Sequence, residues 1–181
     1  MRVISGTARG TKLESLDGLS TRPTIDRVKE GIFSAIQFVI PGAKVLDLFA
    51  GSGQMGIECL SRGAQKGVFV DSNRDAANIV IRNIKACSLF DKATVVNMAA
   101  QDYLRTAKDS FDLVFLDPPY NMGILDEIME KVYQITEPDG IIMAESELGW
   151  SLKKEIPGLR EVKKYKYGKV LVTKFIKENE I

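Results

Sequence analysis

"KVLDLFAGSGQMGIECLSRG", Lys44 to Gly63, changes character twice. Val45, Leu46 and Leu48 form a short apolar run, the pattern of a strand buried on both faces. Gly51 and Gly53 then open a loop. "MGIECLSRG" carries apolar residues at helical spacing until Gly63 ends it. A strand that turns through glycines into a helix is the first part of a βαβ unit, and "GVFVDSN" supplies its second strand.

The alternation continues in both directions. Downstream come a helix in "RDAANIVIRNIKAC", a strand in "ATVVN", a short helix in "QDYLRTA" and a strand in "FDLVFLD". "ILDEIMEKVYQI" reads as a helix and "GIIMAES" as a strand. "REVKKYKYGKVLVTKFI" reads as a hairpin turning near Gly168. Upstream, Ile25, Val28, Ile32, Ile36 and Val39 recur at helical spacing behind Pro23, which suits a helix entry. Strands alternating with helices predict an α/β fold: a mostly parallel seven-stranded sheet, covered on both faces, with an antiparallel C-terminal hairpin. We read one domain over 1–181, with a polar N-terminal arm (1–23) and a core (24–181). In such sheets ligands bind beyond the C-terminal strand ends, at the switch point of the strand order.

Composition narrows the chemistry. With 181 residues, 45% hydrophobic, the chain suits one well-packed domain. Its apolar runs are too short to span a membrane, and "MRVISGTARG" lacks a signal-peptide pattern. Cys59 and Cys87 form no CxxC pair and read as buried, inert thiols, so a reduced, cytoplasmic setting is expected. There is no histidine, which removes Ser-His-Asp and Cys-His catalysis and the histidine-based metal sites. A net charge of +1 conceals an asymmetry. Residues 1–30 hold six Lys/Arg against four Asp/Glu, residues 151–181 nine against four, and the stretch between them ten against sixteen. Basic ends on an acidic body could grip phosphates.

Gly51, Gly53 and Gly56 fit the G-x-G-x-x-G pattern, with Asp71 twenty positions beyond Gly51 at a strand end. There an acid can accept both hydroxyls of a ribose, so a nucleoside cofactor is expected. A dinucleotide would bring its phosphates to the helix N-terminus. Asp47, within "LDLFAGSG", opposes that approach but suits the cationic amino end of S-adenosylmethionine. The D-x-F-x-G-x-G pattern from Asp47 through Phe49 to Gly53 favours methyl transfer.

"FDLVFLDPPY", Phe111 to Tyr120, ends a buried strand on an acid and two prolines. Neither proline has an amide proton and both fix φ, so the turn is stiff. An exocyclic base amine is a poor nucleophile because its lone pair is delocalised into the ring. Asp117 and the Pro118 carbonyl could accept its two N–H bonds and aim the nitrogen at a methyl group. Tyr120 offers a face on which an extruded base can stack.

"DPPY" resembles the [DNS]-P-P-[YFW] motif of methyltransferases acting on amino groups. The whole chain resembles the bacterial 16S rRNA guanine-N2 methyltransferases that modify the small ribosomal subunit. The likeness runs through "MRVISGTARGTKL", "RPTIDRVKEGIF", "LDLFAGSGQMGIE", "FVDSN", "FLDPPY" and "MAESE". It implies a Rossmann-like class I methyltransferase that uses S-adenosyl-L-methionine, with 16S rRNA as partner and no membrane association; a monomer is expected. By the resemblance, Asp47, Phe49, Gly51, Gly53, Asp71, Ser72, Ala100 and Gln101 line the cofactor site, and Asp117, Pro118 and Tyr120 handle the base. The arm, with Arg9, Lys12, Arg22 and Arg27, helps cover the site and contacts RNA. Where many relatives carry Asp or Asn after the third strand this chain has Ala99, so backbone groups around Ala100 and Gln101 must meet the adenine.

Three other readings compete. A DNA adenine-N6 methyltransferase could use the same tetrapeptide, but no segment is long enough for a target-recognition domain. Against an NAD-dependent oxidoreductase stand Asp47, the missing histidine and "DPPY". Against a non-catalytic RNA-binding module stand the intact glycine loop and "DPPY".

Overall fold

The computed structural model describes residues 1–16, 23–120 and 123–179. In chain order the elements are α1 (Pro23–Ile36), β1 (Lys44–Asp47), α2 (Gln54–Ser61), β2 (Lys66–Asp71) and α3 (Arg74–Ala86). A 3₁₀ turn (Phe90–Lys92), β3 (Ala93–Asn97), α4 (Ala100–Thr106), β4 (Phe111–Leu116) and α5 (Ile124–Gln134) follow. The chain closes with β5 (Thr136–Glu147), β6 (Leu159–Tyr167) and β7 (Val170–Lys177). They build one seven-stranded sheet in the order β3-β2-β1-β4-β5-β7-β6. Strands β1 to β5 pair in parallel, while β7 runs antiparallel to both β5 and β6. The expected α/β sheet and its reversed hairpin are both present.

Period-two alternation sends successive strand residues to opposite faces. Val45, Phe69, Leu113, Phe115, Ile141 and Met143 pack with Phe33, Ile57 and Val80 from α1, α2 and α3. Leu46, Val68, Val114, Leu116, Ile142 and Ala144 pack on the other face with Leu104 and Met129 from α4 and α5. The first helix is shorter than its apolar spacing predicts. It stops at Ile36, Val39 N–H closes a turn on the Ile36 carbonyl, and Phe38 and Val39 are exposed. Pro41 and Gly42, the latter at φ 78°, bar helical continuation.

The described part of the arm is anchored. Val3 N–H donates to the Thr11 carbonyl and Gly10 N–H to that of Val3, making a small hairpin bridged at Arg2 and Lys12. Val3, Ala8 and Leu13 are buried. The Ile4 and Ser5 amides both donate to the Glu58 carboxylate, at 2.8 and 2.9 Å. Lys29 from α1 and Arg62 pair with the same carboxylate, at 3.1 and 2.9 Å. Removing one partner of such a buried ion pair costs about 3–5 kcal/mol, because the other charge is left uncompensated. Glu58 therefore ties arm, α1 and α2 into one unit. Cys59 and Cys87 are free and buried, as their sequence setting implies. Among the described residues no helix is long and apolar enough to cross a membrane, and no group of three or more acidic or cysteine ligands is placed to hold a metal.

Candidate active site

The strand order reverses beside β1: the chain moves outward to β2 and β3, then returns to place β4 on the other side. Crevices form at such points, and the glycine loop and "DPPY" both lie there. One step of the alternation past the buried runs puts a carboxylate at the end of each of four adjacent strands. In spatial order they are Asp71 (β2), Asp47 (β1), Asp117 (after β4) and Glu145 (β5), all on the face that α1, α2 and α3 cover.

Each acid has a distinct environment. Asp71 accepts from the Gly51 amide through Oδ2 and from the Asn73 amide through Oδ1, both at 2.8 Å. It thereby braces the glycine loop and the entry to α3, and each oxygen keeps a further lone pair for a ribose hydroxyl. Asp47 is buried and, among the described residues, accepts only the Gly56 amide, at 3.1 Å. Burial pushes its carboxyl up to about 7 against the opposing effect of that bond, and the Asp71 charge adds to the rise. Asp117 stays accessible to water yet has protein packed closely around it. Desolvation, then Glu145 and Asp47, push it up to about 8. Glu145, half-buried, is likewise raised by desolvation.

Carboxylates that crowd together and resist ionisation call for a positive ligand. Among the described residues, none of the groups acting on Asp47, Asp117 or Glu145 is a cation. A sulfonium with an α-ammonium tail matches this donor set, whereas a pyrophosphate would be repelled. The loop geometry agrees. Gly51 and Gly53 adopt φ 55° and 77°, values that favour glycine, and a Cβ on Gly56 would lie 2.4 Å from the Phe69 ring. Gln54, at the start of α2, keeps a buried Oε1 with no hydrogen-bond partner among the described residues.

The remaining sequence-derived residues divide. Pro118 is buried and Tyr120 half exposed, at 44%. Ser72 is exposed beside Asp71, its carbonyl held by the Asn97 side chain at 3.1 Å. Ala100 and Gln101 open α4 behind β3, after Ala99. Phe49 is half-buried against the α4–α5 core. Arg27 is exposed on α1, one turn before Gly31, which abuts Tyr167 at the same strand-end edge. Arg9 and Lys12 are exposed, but Arg9 sits in the turn held by Ser61 at the far end of α2. At 1.5 Å per residue that is roughly 12 Å along the helix from the glycine loop. Arg22 lies outside the described residues. A surface cleft of about 260 Å³ at the opposite edge, lined by Lys44, Lys66, Asp91 and Lys92, contains none of these groups.

The family described as conserved hypothetical protein 95 matches residues 1–176. A candidate rRNA methyltransferase of Bacillus subtilis, YlbH, is 41% identical over 173 residues, covering 93% of this chain and 94% of its own. Ribosomal RNA small subunit methyltransferase D of Haemophilus influenzae is 35% identical over 169 residues, 86% of this chain and 87% of its own. The chain belongs to this methyltransferase family. A solved Escherichia coli candidate methyltransferase, yhhF, superposes on it with a TM-score of 0.89, at 30% identity and 98% coverage of both chains. The methyltransferase family is S-adenosylmethionine-dependent, in keeping with the cation-seeking acids. Two features of the crevice escaped the sequence reading. Glu145 lies within "MAESE", yet its approach to Asp117 depends on β4–β5 pairing. Asn97 ends β3, and its side-chain amide clasps the Asp71 and Ser72 carbonyls.

Proposed function

We propose that the protein transfers a methyl group from S-adenosylmethionine to the exocyclic N2 amine of a guanine in 16S rRNA of the small ribosomal subunit. The observation that carries this reading is the rigid Asp117–Pro118 turn set beside Asp47 across the switch point, within one crevice. The cofactor supplies an electrophilic methyl group. Asp71 holds its ribose, the glycine loop gives the backbone room, and Asp47 faces its ammonium. Asp117 and the Pro118 carbonyl accept hydrogen bonds from the two amine N–H groups and so turn the nitrogen lone pair out of the base plane; once the methyl group is on nitrogen, one of those protons is released to solvent. Tyr120 stacks on the extruded base. The relatives named as small-subunit rRNA methyltransferases support rRNA over DNA, and the basic termini support a polyanionic partner. Methylating rRNA from a deletion strain with the purified protein, then mapping the product, tests the reading. N2-methylguanine is expected, and methyl on adenine alone would overturn it.

Asp71→Ala is expected to weaken S-adenosylmethionine binding by about 1–3 kcal/mol, the range for partners left without a charged acceptor. Because Asp71 also holds the Gly51 and Asn73 amides, a lower melting temperature should accompany the loss. Unchanged affinity by titration calorimetry would place the ribose elsewhere.

Replacing Arg9, Lys12, Arg22 and Arg27 together with alanine should weaken RNA binding and flatten its salt dependence. Each lost phosphate contact removes a slope of roughly 0.7–0.9 from the log–log plot. Given its position, Arg27 alone should also slow methylation, whereas Arg9 alone should affect binding only. A salt slope equal to wild type would remove all four from the RNA footprint.

A further inference from the structure

Asp117 and the Pro118 carbonyl can hold an amine but cannot identify the base that bears it. An N6 amine of adenine and an N2 amine of guanine each offer two N–H donors. The adjacent ring atom differs: guanine presents N1–H, a donor, and adenine presents N1, an acceptor. A residue beside Asp117 that only accepts would therefore separate the two.

Glu145 is placed to do so. β4 and β5 run parallel with Leu116 opposite Ala144, so Asp117 and Glu145 are the next residues on neighbouring strands and share one sheet face. Adjacent strands lie about 4.8 Å apart, close enough for the two side chains to converge on neighbouring donors of one base edge. The Tyr120 hydroxyl donates to Glu145 Oε1 at 2.7 Å, which fixes the side chain and opposes the desolvation that raises its carboxyl. Oε2 has no hydrogen-bond partner among the described residues. Tyr120 thus orients the acid while its ring remains half exposed.

We propose that Glu145 is a specificity-determining residue that accepts the N1–H of the target guanine while Asp117 and Pro118 hold the N2 amine; the assignment rests on the guanine-N2 reading above. Glu145 forms and breaks no covalent bond. An adenine in the same pose would set its N1 lone pair against the carboxylate, and this repulsion excludes it.

The test uses the full chain and target RNAs carrying guanine, 2-aminopurine or inosine at the modified position. 2-Aminopurine keeps the 2-amine but has an acceptor at N1; inosine keeps N1–H and lacks the amine. Wild-type kcat/KM should favour guanine over 2-aminopurine by roughly 10–100-fold, the worth of a hydrogen bond to a charged group. In Glu145→Gln, whose amide can donate to N1, that preference should shrink at least about tenfold or reverse. Comparing the two proteins cancels the intrinsic reactivity difference between the amines. An unchanged preference overturns the assignment and gives both donors to Asp117. If Glu145→Gln does not fold, as judged by S-adenosylmethionine binding, Glu145→Asp takes its place. Its shorter acceptor should keep the guanine preference at a reduced rate, and loss of the rate without that preference also overturns the assignment. Methyl incorporation into inosine RNA equal to that into guanine RNA would instead overturn the N2 reading itself.

Discussion

Asp117→Ala is expected to lower the single-turnover methylation rate about 10²–10³-fold, or ~2.7–4 kcal/mol in the barrier, as for other pre-organised groups aimed at a developing charge. On the proposed reading RNA affinity should barely change, because Asp117 carries neither the stacking assigned to Tyr120 nor the phosphate contacts assigned to the basic residues. The fold should tolerate the change well. Asp117 adds repulsion to a cluster that already contains Asp47 and Glu145, so its removal relieves both neighbours. Saturating S-adenosylmethionine separates any effect on the cofactor from the effect on chemistry. Tyr120→Ala should differ, losing about 1–3 kcal/mol of stacking, partly in substrate binding. Tyr120→Phe keeps the ring and loses only the bond to Glu145, so its smaller defect should be one of base choice. An Asp117→Ala protein that turns over at the wild-type rate would reduce "DPPY" to a strand terminator.

Asp47→Asn should make the protein more stable and less able to bind its cofactor. The Asp47 carboxyl rises from 3.8 to about 7 in the fold, chiefly through burial. Between those values the folded protein holds a proton that the unfolded chain has released, so wild-type stability falls as pH rises through the window. Above about pH 7 the penalty is complete, up to about 4 kcal/mol at roughly 1.4 kcal/mol per pKa unit. Asparagine can still accept the Gly56 amide and carries no charge. The stability advantage of the variant should be negligible near pH 4 and grow towards pH 8. Asp71 and Asp117 face the same group and are unchanged in both proteins, so the difference isolates Asp47. Binding a cation favours the ionised acid. Wild-type affinity for S-adenosylmethionine should therefore tighten from pH 6 to 7.5, below the α-ammonium's own titration near 7.7–8.0. Proton release should appear as a buffer-dependent binding enthalpy. A stability gap that does not vary with pH would show that Asp47 is ionised without cost.

Much of this molecule is written locally. The apolar run before Gly51, the helical spacing after it and the repetition of that pair require only neighbouring residues. They were sufficient for the parallel sheet and for the hairpin at Gly168. Local chemistry also marked Asp47, Asp71 and "DPPY", because glycines and prolines restrict the backbone wherever they occur. The end of α1 was less legible, since apolar spacing continued through Val39 while Pro41 and Gly42 turned the chain away. Other features belong to no segment. Glu145 acquires its place beside Asp117 only when β5 pairs with β4, and Glu58 becomes the anchor of the arm only when residues more than fifty positions away reach it. Arg9 and Arg27 look alike in the sequence, yet packing sets one at the far end of α2 and the other on α1, a turn before the Gly31–Tyr167 contact. Strand order, register and helix docking are long-range events. They align four carboxylates on one face and crowd them until a cation is the fitting ligand.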